Sequence, residues 1–346
     1  MNRTIPFHLI LVISFLVCFP SLTLAKHKGD YRTFHVFFEN DLFGDTDKYY
    51  TNAVQATWIS KDLERYLDDK RLPEGLARWL RDTPLVNESD DTHNVGLILG
   101  QHIYTPENIR ETDLIVYDRP YAGFLYAGLA LHRKTQFQLD TVEAVFGIIG
   151  PSSLAEQAQN TVHRIRDIDE ALGWDNQLGH EPGIRISWQR KWRFEPWHDP
   201  DTDLGADWIT HAGVTLGNVR TSANAGFEVR FGIRIPQDFG SDVIRPGSGI
   251  SAPLLANNGP DDARWGLHAF AGTQLEYVAR DVFLDGNTWK DSHSVEKEPW
   301  IIDMSVGLAF NFDTIKLTYR HLFRTRQFEN QSQGHTIGSL TLTWSF

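Results

Sequence analysis

The chain has 346 residues, 23% of them charged and 12% aromatic, with a formal net charge of −12 at pH 7. That acidic balance excludes nucleic acid as a charge-held partner, and a single cysteine, Cys18, excludes a disulfide framework. No apolar run of roughly 18 residues follows the amino terminus, which excludes a bundle of membrane helices.

In chain order, a leader comes first. Arg3 supplies a small positive region, Phe7 to Phe19 an apolar stretch, and Thr23-Leu24-Ala25 a small-residue cleavage site. Residues 1–25 are therefore expected to be an export signal peptide and residues 26–346 the mature protein. Cys18 falls inside the leader, so the mature chain is expected to carry neither a disulfide nor a thiol nucleophile.

Periodicity of two then recurs to the end, in twelve segments near 31–40, 50–60, 93–103, 121–133, 137–150, 181–193, 206–219, 224–236, 264–279, 300–312, 314–326 and 335–346. Phe227, Val229, Phe231 and Ile233 alternate with Glu228, Arg230, Gly232 and Arg234. In the last segment Leu340, Leu342, Trp344 and Phe346 oppose Ser339, Thr341, Thr343 and Ser345. Strands of this length, apolar outward and polar inward, with aromatics near their ends, predict an all-β fold. It is a 12-stranded antiparallel transmembrane β-barrel in the bacterial outer membrane. The terminal Phe346 is the kind of residue the barrel assembly machinery looks for during biogenesis.

An even, closed barrel puts both termini on the periplasmic side and its odd-to-even connections outward: 41–49, 104–120 and 150–180. Two inward connections, 61–92 and 237–263, are too long for ordinary turns, and Gly75 to Arg81 in the first has the pattern of a peripheral interfacial helix.

The outward 150–180 segment is expected to hold a short extracellular-side helix and an active-site loop. Ser153 and Glu156 have the spacing of a capping box, so a helix is predicted over Leu154 to Ile168. Glu156, Gln159 and His163 would then share one face. Glu39-Asn40-Asp41 ends the first strand and Tyr50-Thr51 opens the second, at the same membrane level. A base, oxygen ligands and a hydroxyl are thereby candidates to converge at the outer rim. Ester hydrolysis needs such a set: a base such as neutral His163, and positive charge where the oxyanion forms. Asp41 with amide and hydroxyl oxygens suits a hard cation such as Ca²⁺, able to polarise a carbonyl. If Phe34, Val36 and Phe38 face lipid, pleat parity sends Asp41 and Thr51 inward but Asn40 outward, unless the strand ends or bulges there. Neither a Gly-x-Ser-x-Gly elbow nor a His-Glu-x-x-His helix occurs. Asp45-Thr46-Asp47 fits a solvated loop better than a calcium loop, and His102, Asp118 and Arg119 fit structural roles better than contact with a substrate phosphate.

Several of these segments resemble one family, the outer-membrane lipid A 3-O-deacylases. They are Glu39-Asn40-Asp41, Tyr50-Thr51, Gln101-His102-Ile103-Tyr104-Thr105-Pro106, Asp118-Arg119-Pro120-Tyr121-Ala122-Gly123, and Gly147-Ile148-Ile149-Gly150-Pro151 running into Gln159-Asn160-Thr161-Val162-His163-Arg164-Ile165. The resemblance implies a twelve-stranded barrel with its site between wall and helix at the outer-leaflet end. It also implies calcium-dependent removal of the 3′-linked acyloxyacyl group from lipid A, the lipid anchor of lipopolysaccharide. By the same resemblance Asn40 and Asp41 are site and metal-region residues, Thr51 a site hydroxyl, Gln159 a positioning amide and His163 the general base. Asp169 stands where the family pattern has Glu, six residues after the histidine, and is carried over as a metal-region carboxylate. Rival expectations are an outer-membrane phospholipase and a non-catalytic barrel, either a pore or an adhesin.

Overall fold

The computed structural model describes residues 31–40, 49–63, 91–241, 244 and 265–346. The leader, Asp41 with the rest of 41–48, the segment Gly75 to Arg81 and most of 237–263 lie outside the described residues.

Among the described residues, twelve antiparallel strands close into a barrel in sequence order, the first pairing with the last. They are β1 (Thr33–Asn40), β2 (Tyr49–Ile59), β3 (Thr92–Thr105), β4 (Ala122–Lys134), β5 (Gln138–Ile149) and β6 (Glu181–Asp199). The second half comprises β7 (Leu204–Gly217), β8 (Arg220–Ile233), β9 (Trp265–Asp281), β10 (Trp300–Phe312), β11 (Ile315–Arg324) and β12 (His335–Ser345). Thr33 sits opposite Ser345 and Asn40 opposite Gly338, which fixes the closing register. Among the described residues two α-helices join them: α1 (Ala155–Arg166) after β5 and α2 (Val282–Asp285) after β9.

Strand limits follow the alternation to within a few residues, with one informative exception. β6 runs to Asp199 rather than stopping near 193, and its pairing with β7 shifts between Phe194 and Trp197. Pro196 lacks the amide a ladder needs, but β5 begins, at Gln138, opposite Trp192, so beyond that point β6 is an edge strand and Pro is tolerated at its bulge.

The alternation is inverted relative to a water-soluble sheet. Leu99 is 59% exposed, Phe146 61% and Met304 54%, while Arg185, Arg230 and Lys134 are wholly buried. A continuous apolar outer belt and a charged interior are stable only with lipid outside.

Inside, the charges are paired. Arg220 bonds Glu276 and Asp281, Arg230 bonds Asp207 and Asp238, Arg185 bonds Glu143, and Arg320 bonds Glu228. The described part of the β8–β9 connection lies within the lumen. Asp238 bridges Arg230 and Lys316, Phe239 packs on Leu139, the Ser241 amide donates to Glu228 at 3.1 Å, and the Ile244 amide donates to Glu39 at 2.6 Å. These described residues of the connection plug the barrel. At the outer mouth Phe283 of α2 stacks on Tyr104 at 4.2 Å, and the Arg119 guanidinium carbon lies 4.5 Å from the centroid of the Tyr104 ring. A small polar cavity of about 60 Å³, lined among others by His211, Glu228, Gln274 and Arg320, remains between plug and wall. That is room for a few waters rather than a channel.

Candidate active site on the outer wall

β5 ends at Ile149, and Gly150 turns the chain with φ +91°, a conformation where a side chain would strike the main chain of Gly179 at 2.7 Å. Pro151 opens a 3₁₀ turn through Ser153, Leu154 takes a left-handed conformation with φ 59°, and α1 starts at Ala155. The expected capping box is therefore not formed. No side chain caps α1, and the buried Ser153 hydroxyl has no hydrogen-bond partner among the described residues. The left-handed Leu154 turns Ser153 away from the helix, and contact with the wall replaces the cap. Gln101 Nε2 donates to the Ser153 carbonyl at 2.7 Å, and at Gly123 a Cβ would fall 2.0 Å from Ser153 Oγ and 2.3 Å from the Ala155 Cβ. Glycine at 123 is what lets the helix start touch the strand.

Three faces divide α1. Ala155, Gln159 and His163, one turn apart, are buried. Ala155 packs with Ile103, Tyr121, Ala171 and Trp174. On one flank Leu154, Val162 and Ile165 are exposed, and on the other lie Glu156, Gln157, Asn160 and Arg164. Of the expected trio, Gln159 and His163 share the buried face and Glu156 stays half-buried beside it.

The helix lies against the outside of the barrel. Ile103 and Gly123 have the parity of the exposed Leu97 and Leu99 and of Ala127, and they are paired with each other across β3 and β4. The same lateral row continues from Ile103 to Asn52 on β2 and from Asn52 to Asn40 on β1. Directly opposed residues in a ladder point to the same face. The outward parity of Asn40, a difficulty when the site is sought in the lumen, places it on the helix side, and it is only 6% exposed. Thr51 lies at a register shift in β2 between Tyr50 and Asn52, whereas β1 pairs without a shift through Asn40.

His163 Nδ1 donates to the main-chain carbonyl of Asp169 at 2.5 Å. A carbonyl can only accept, so Nδ1 carries the proton and the ring lone pair belongs to Nε2. Asp169 thus meets the histidine through its backbone, while its carboxylate points to the surface and pairs with Arg110. Gln159 Oε1 accepts from Trp174 Nε1 at 3.1 Å, which identifies Nε2 as the remaining donor; it is buried and has no partner among the described residues. A base and an unspent donor one turn apart, in a seam between helix and wall, can serve a water molecule and a developing negative charge.

The other candidates have structural roles. His102 is buried inside the barrel, 3.0 Å from the Tyr126 hydroxyl, and Asp118 accepts from the amides of Glu107 and Arg119, each at 2.7 Å. Trp174 and Asn160, which tie the loop to the helix, were not singled out from sequence; an isolated tryptophan after a helix and the amide next to Gln159 were the available signals. A calcium ion wants six to eight oxygens. The described residues offer the amide oxygen of Asn40, and the Asp169 carboxylate is turned away toward Arg110, so a full ligand set is not assembled from them.

Comparison with known proteins agrees with this architecture. The family model described as "Outer membrane protein LpxR" matches residues 9–346. The structure of LpxR from Salmonella typhimurium superposes with a TM-score of 0.70 at 16% identity, covering 91% of this chain and 100% of that one. The β domain of the Bordetella autotransporter BrkA matches with a TM-score of 0.42 at 8% identity, covering 91% and 97%. The translocator domain of NalP from Neisseria meningitidis gives 0.36 at 9%, covering 98% and 94%. No curated protein matches in sequence. With the family model spanning nearly the whole chain, this protein belongs to the LpxR family of bacterial outer-membrane, lipid A-modifying β-barrels, the family its motifs resembled.

Proposed function

We propose that this protein is a lipid A 3-O-deacylase, a carboxylic ester hydrolase that removes the 3′-linked acyloxyacyl group in the outer leaflet. The observation that carries the reading is the hydrogen bond from His163 Nδ1 to the Asp169 carbonyl, on a helix seated on the outer wall in the row of Asn40. In this reading His163 Nε2 takes a proton from water as the water oxygen attacks the ester carbonyl. The imidazolium then returns that proton to the leaving sugar oxygen, and acid and alcohol separate. Gln159 Nε2 donates to the attacking water or to the oxyanion, Asn40 lies in the same row of the wall, and Thr51 is the proposed site hydroxyl.

The exposed flank of α1, with Val162 42% and Ile165 59% exposed, continues the apolar belt of the barrel and suits an approach by lipid from the side. Calcium is retained as the proposed cofactor, with Asp41 as its main carboxylate ligand; bound there, it would supply positive charge to the ester carbonyl. The filled lumen speaks against a pore.

Mass spectrometry of lipid A from cells expressing the wild type and His163→Ala is the test. Loss of the 3′ acyloxyacyl mass with the wild type only is expected, and unchanged lipid A in calcium-containing medium would reject the reading. Release of fatty acid from phospholipid vesicles but not from lipid A would favour the phospholipase. Channel conductance in planar bilayers, insensitive to His163→Ala, would favour the pore.

A further inference from the structure

The family pattern has a carboxylate six residues after the histidine, yet here the group that meets the imidazole is a main-chain carbonyl. A main-chain acceptor has no rotamer of its own, so its aim depends on what holds the segment in place. Besides the surface ion pairs of Asp169 with Arg110 and of Glu170 with Arg164, several hydrogen bonds hold 167–174. Asp167 ends α1 in a left-handed conformation with φ 56°, and the Ile168 amide donates to the His163 carbonyl at 3.1 Å. The Leu172 amide donates to the Ile109 carbonyl at 2.8 Å, and Trp174 bonds Gln159. Between them lies Asn160: its Oδ1 accepts from the Ala171 amide at 3.0 Å and its Nδ2 donates to the Ala171 carbonyl at 3.3 Å. This is the contact nearest to Asp169 that binds the segment to the helix by both groups of one residue.

We propose that Asn160 is a positioning residue for the base: its side-chain amide clamps Ala171 and thereby holds the Asp169 carbonyl against His163 Nδ1. The proposal rests on the reading of His163 as the base. Geometry explains why the position wants Asn. A two-point grip on a main-chain N–H and C=O needs one acceptor and one donor on the same short side chain. Aspartate keeps the acceptor, alanine keeps neither, and the extra methylene of glutamine misplaces both. The Asp169 carboxylate is engaged with Arg110 at the surface and does not contact the imidazole.

The test compares full-length wild type, Asn160→Ala, Asn160→Asp, Asp169→Ala and His163→Ala, with folding of each checked by the heat-modifiable migration of intact barrels. On purified lipid A, Asn160→Ala is expected to lower kcat about 10- to 100-fold with KM little changed, the scale typical of residues that orient a functional histidine from behind. Asn160→Asp should recover part of the loss, and Asp169→Ala should cost less than Asn160→Ala. The proposal is overturned by a folded Asn160→Ala with wild-type kcat, or by Asp169→Ala losing as much activity as His163→Ala. If the wild type leaves lipid A intact, the deacylase reading fails separately, and ¹⁵N shifts of the His163 ring decide the clamp. A protonated Nδ1 in wild type and Asp169→Ala but a mixture of tautomers in Asn160→Ala supports it. Identical spectra in all three sink it.

Discussion

The lumen and the outer wall both bury polar side chains, on opposite terms. In the lumen nearly every charge meets its opposite: Arg220 with Glu276 and Asp281, Asp238 between Arg230 and Lys316. Under α1 the buried groups are neutral, and among the described residues the Ser153 hydroxyl and Gln159 Nε2 are left unspent. Paired charges fill space and hold a plug; a tethered imidazole beside an unspent amide is poised to meet something that arrives. Burial of polar groups by itself therefore does not mark a site in this barrel. Unpartnered polar atoms also occur inside the barrel, as on Arg119 and His268, so the seam is distinguished by an unspent amide one turn from a tethered imidazole.

Substitutions can separate the two regions, beginning with the largest effect. His163→Ala should lower deacylation by about 10²- to 10⁴-fold, the usual contribution of a general base, while the barrel still migrates as a folded species. In the lumen, Asp238→Ala strips a carboxylate from two cations and should destabilise the barrel by about 3–5 kcal/mol. That loss is measurable by urea unfolding in detergent, with deacylation by the folded fraction unchanged; a fall in kcat would show that plug and site are coupled. Gly123→Ala forces a Cβ into Ser153 and Ala155 and should shift the start of α1 by the order of 1 Å, lowering kcat about 100-fold with little change in stability. Smallest, Trp174→Phe keeps the packing on Tyr121 but removes the donor to Gln159, a change worth about 1 kcal/mol and read as a few-fold fall in kcat.

Most of the barrel was legible in the residues because a lipid-facing strand must alternate, and alternation survives in one dimension. β10 runs from Trp300 to Phe312, the limits expected from its pattern. β6 overran its expected end because beyond Trp192 it is an edge strand, where Pro196 is tolerated. On α1 the spacing correctly put Gln159 and His163 on one face. The capping box failed because Gly150 and Pro151 had already committed the chain to a 3₁₀ turn, and the wall at Gly123 took over the role of the cap.

The sequence alone determined the twelve alternating strands, the closed barrel they form, the family, and the candidates Asn40 and His163 on separate segments. Local periodicity and short-range motifs carry that information because they need no knowledge of distant contacts. Tertiary structure decided on which side of the wall the helix lies, that the long β8–β9 connection enters the lumen, and that Asp169 reaches the histidine through its carbonyl. Each of these depends on ladder register across several strands or on hydrogen bonds between groups whose approach is set by the closed barrel, and no residue pattern along the chain encodes that approach by itself.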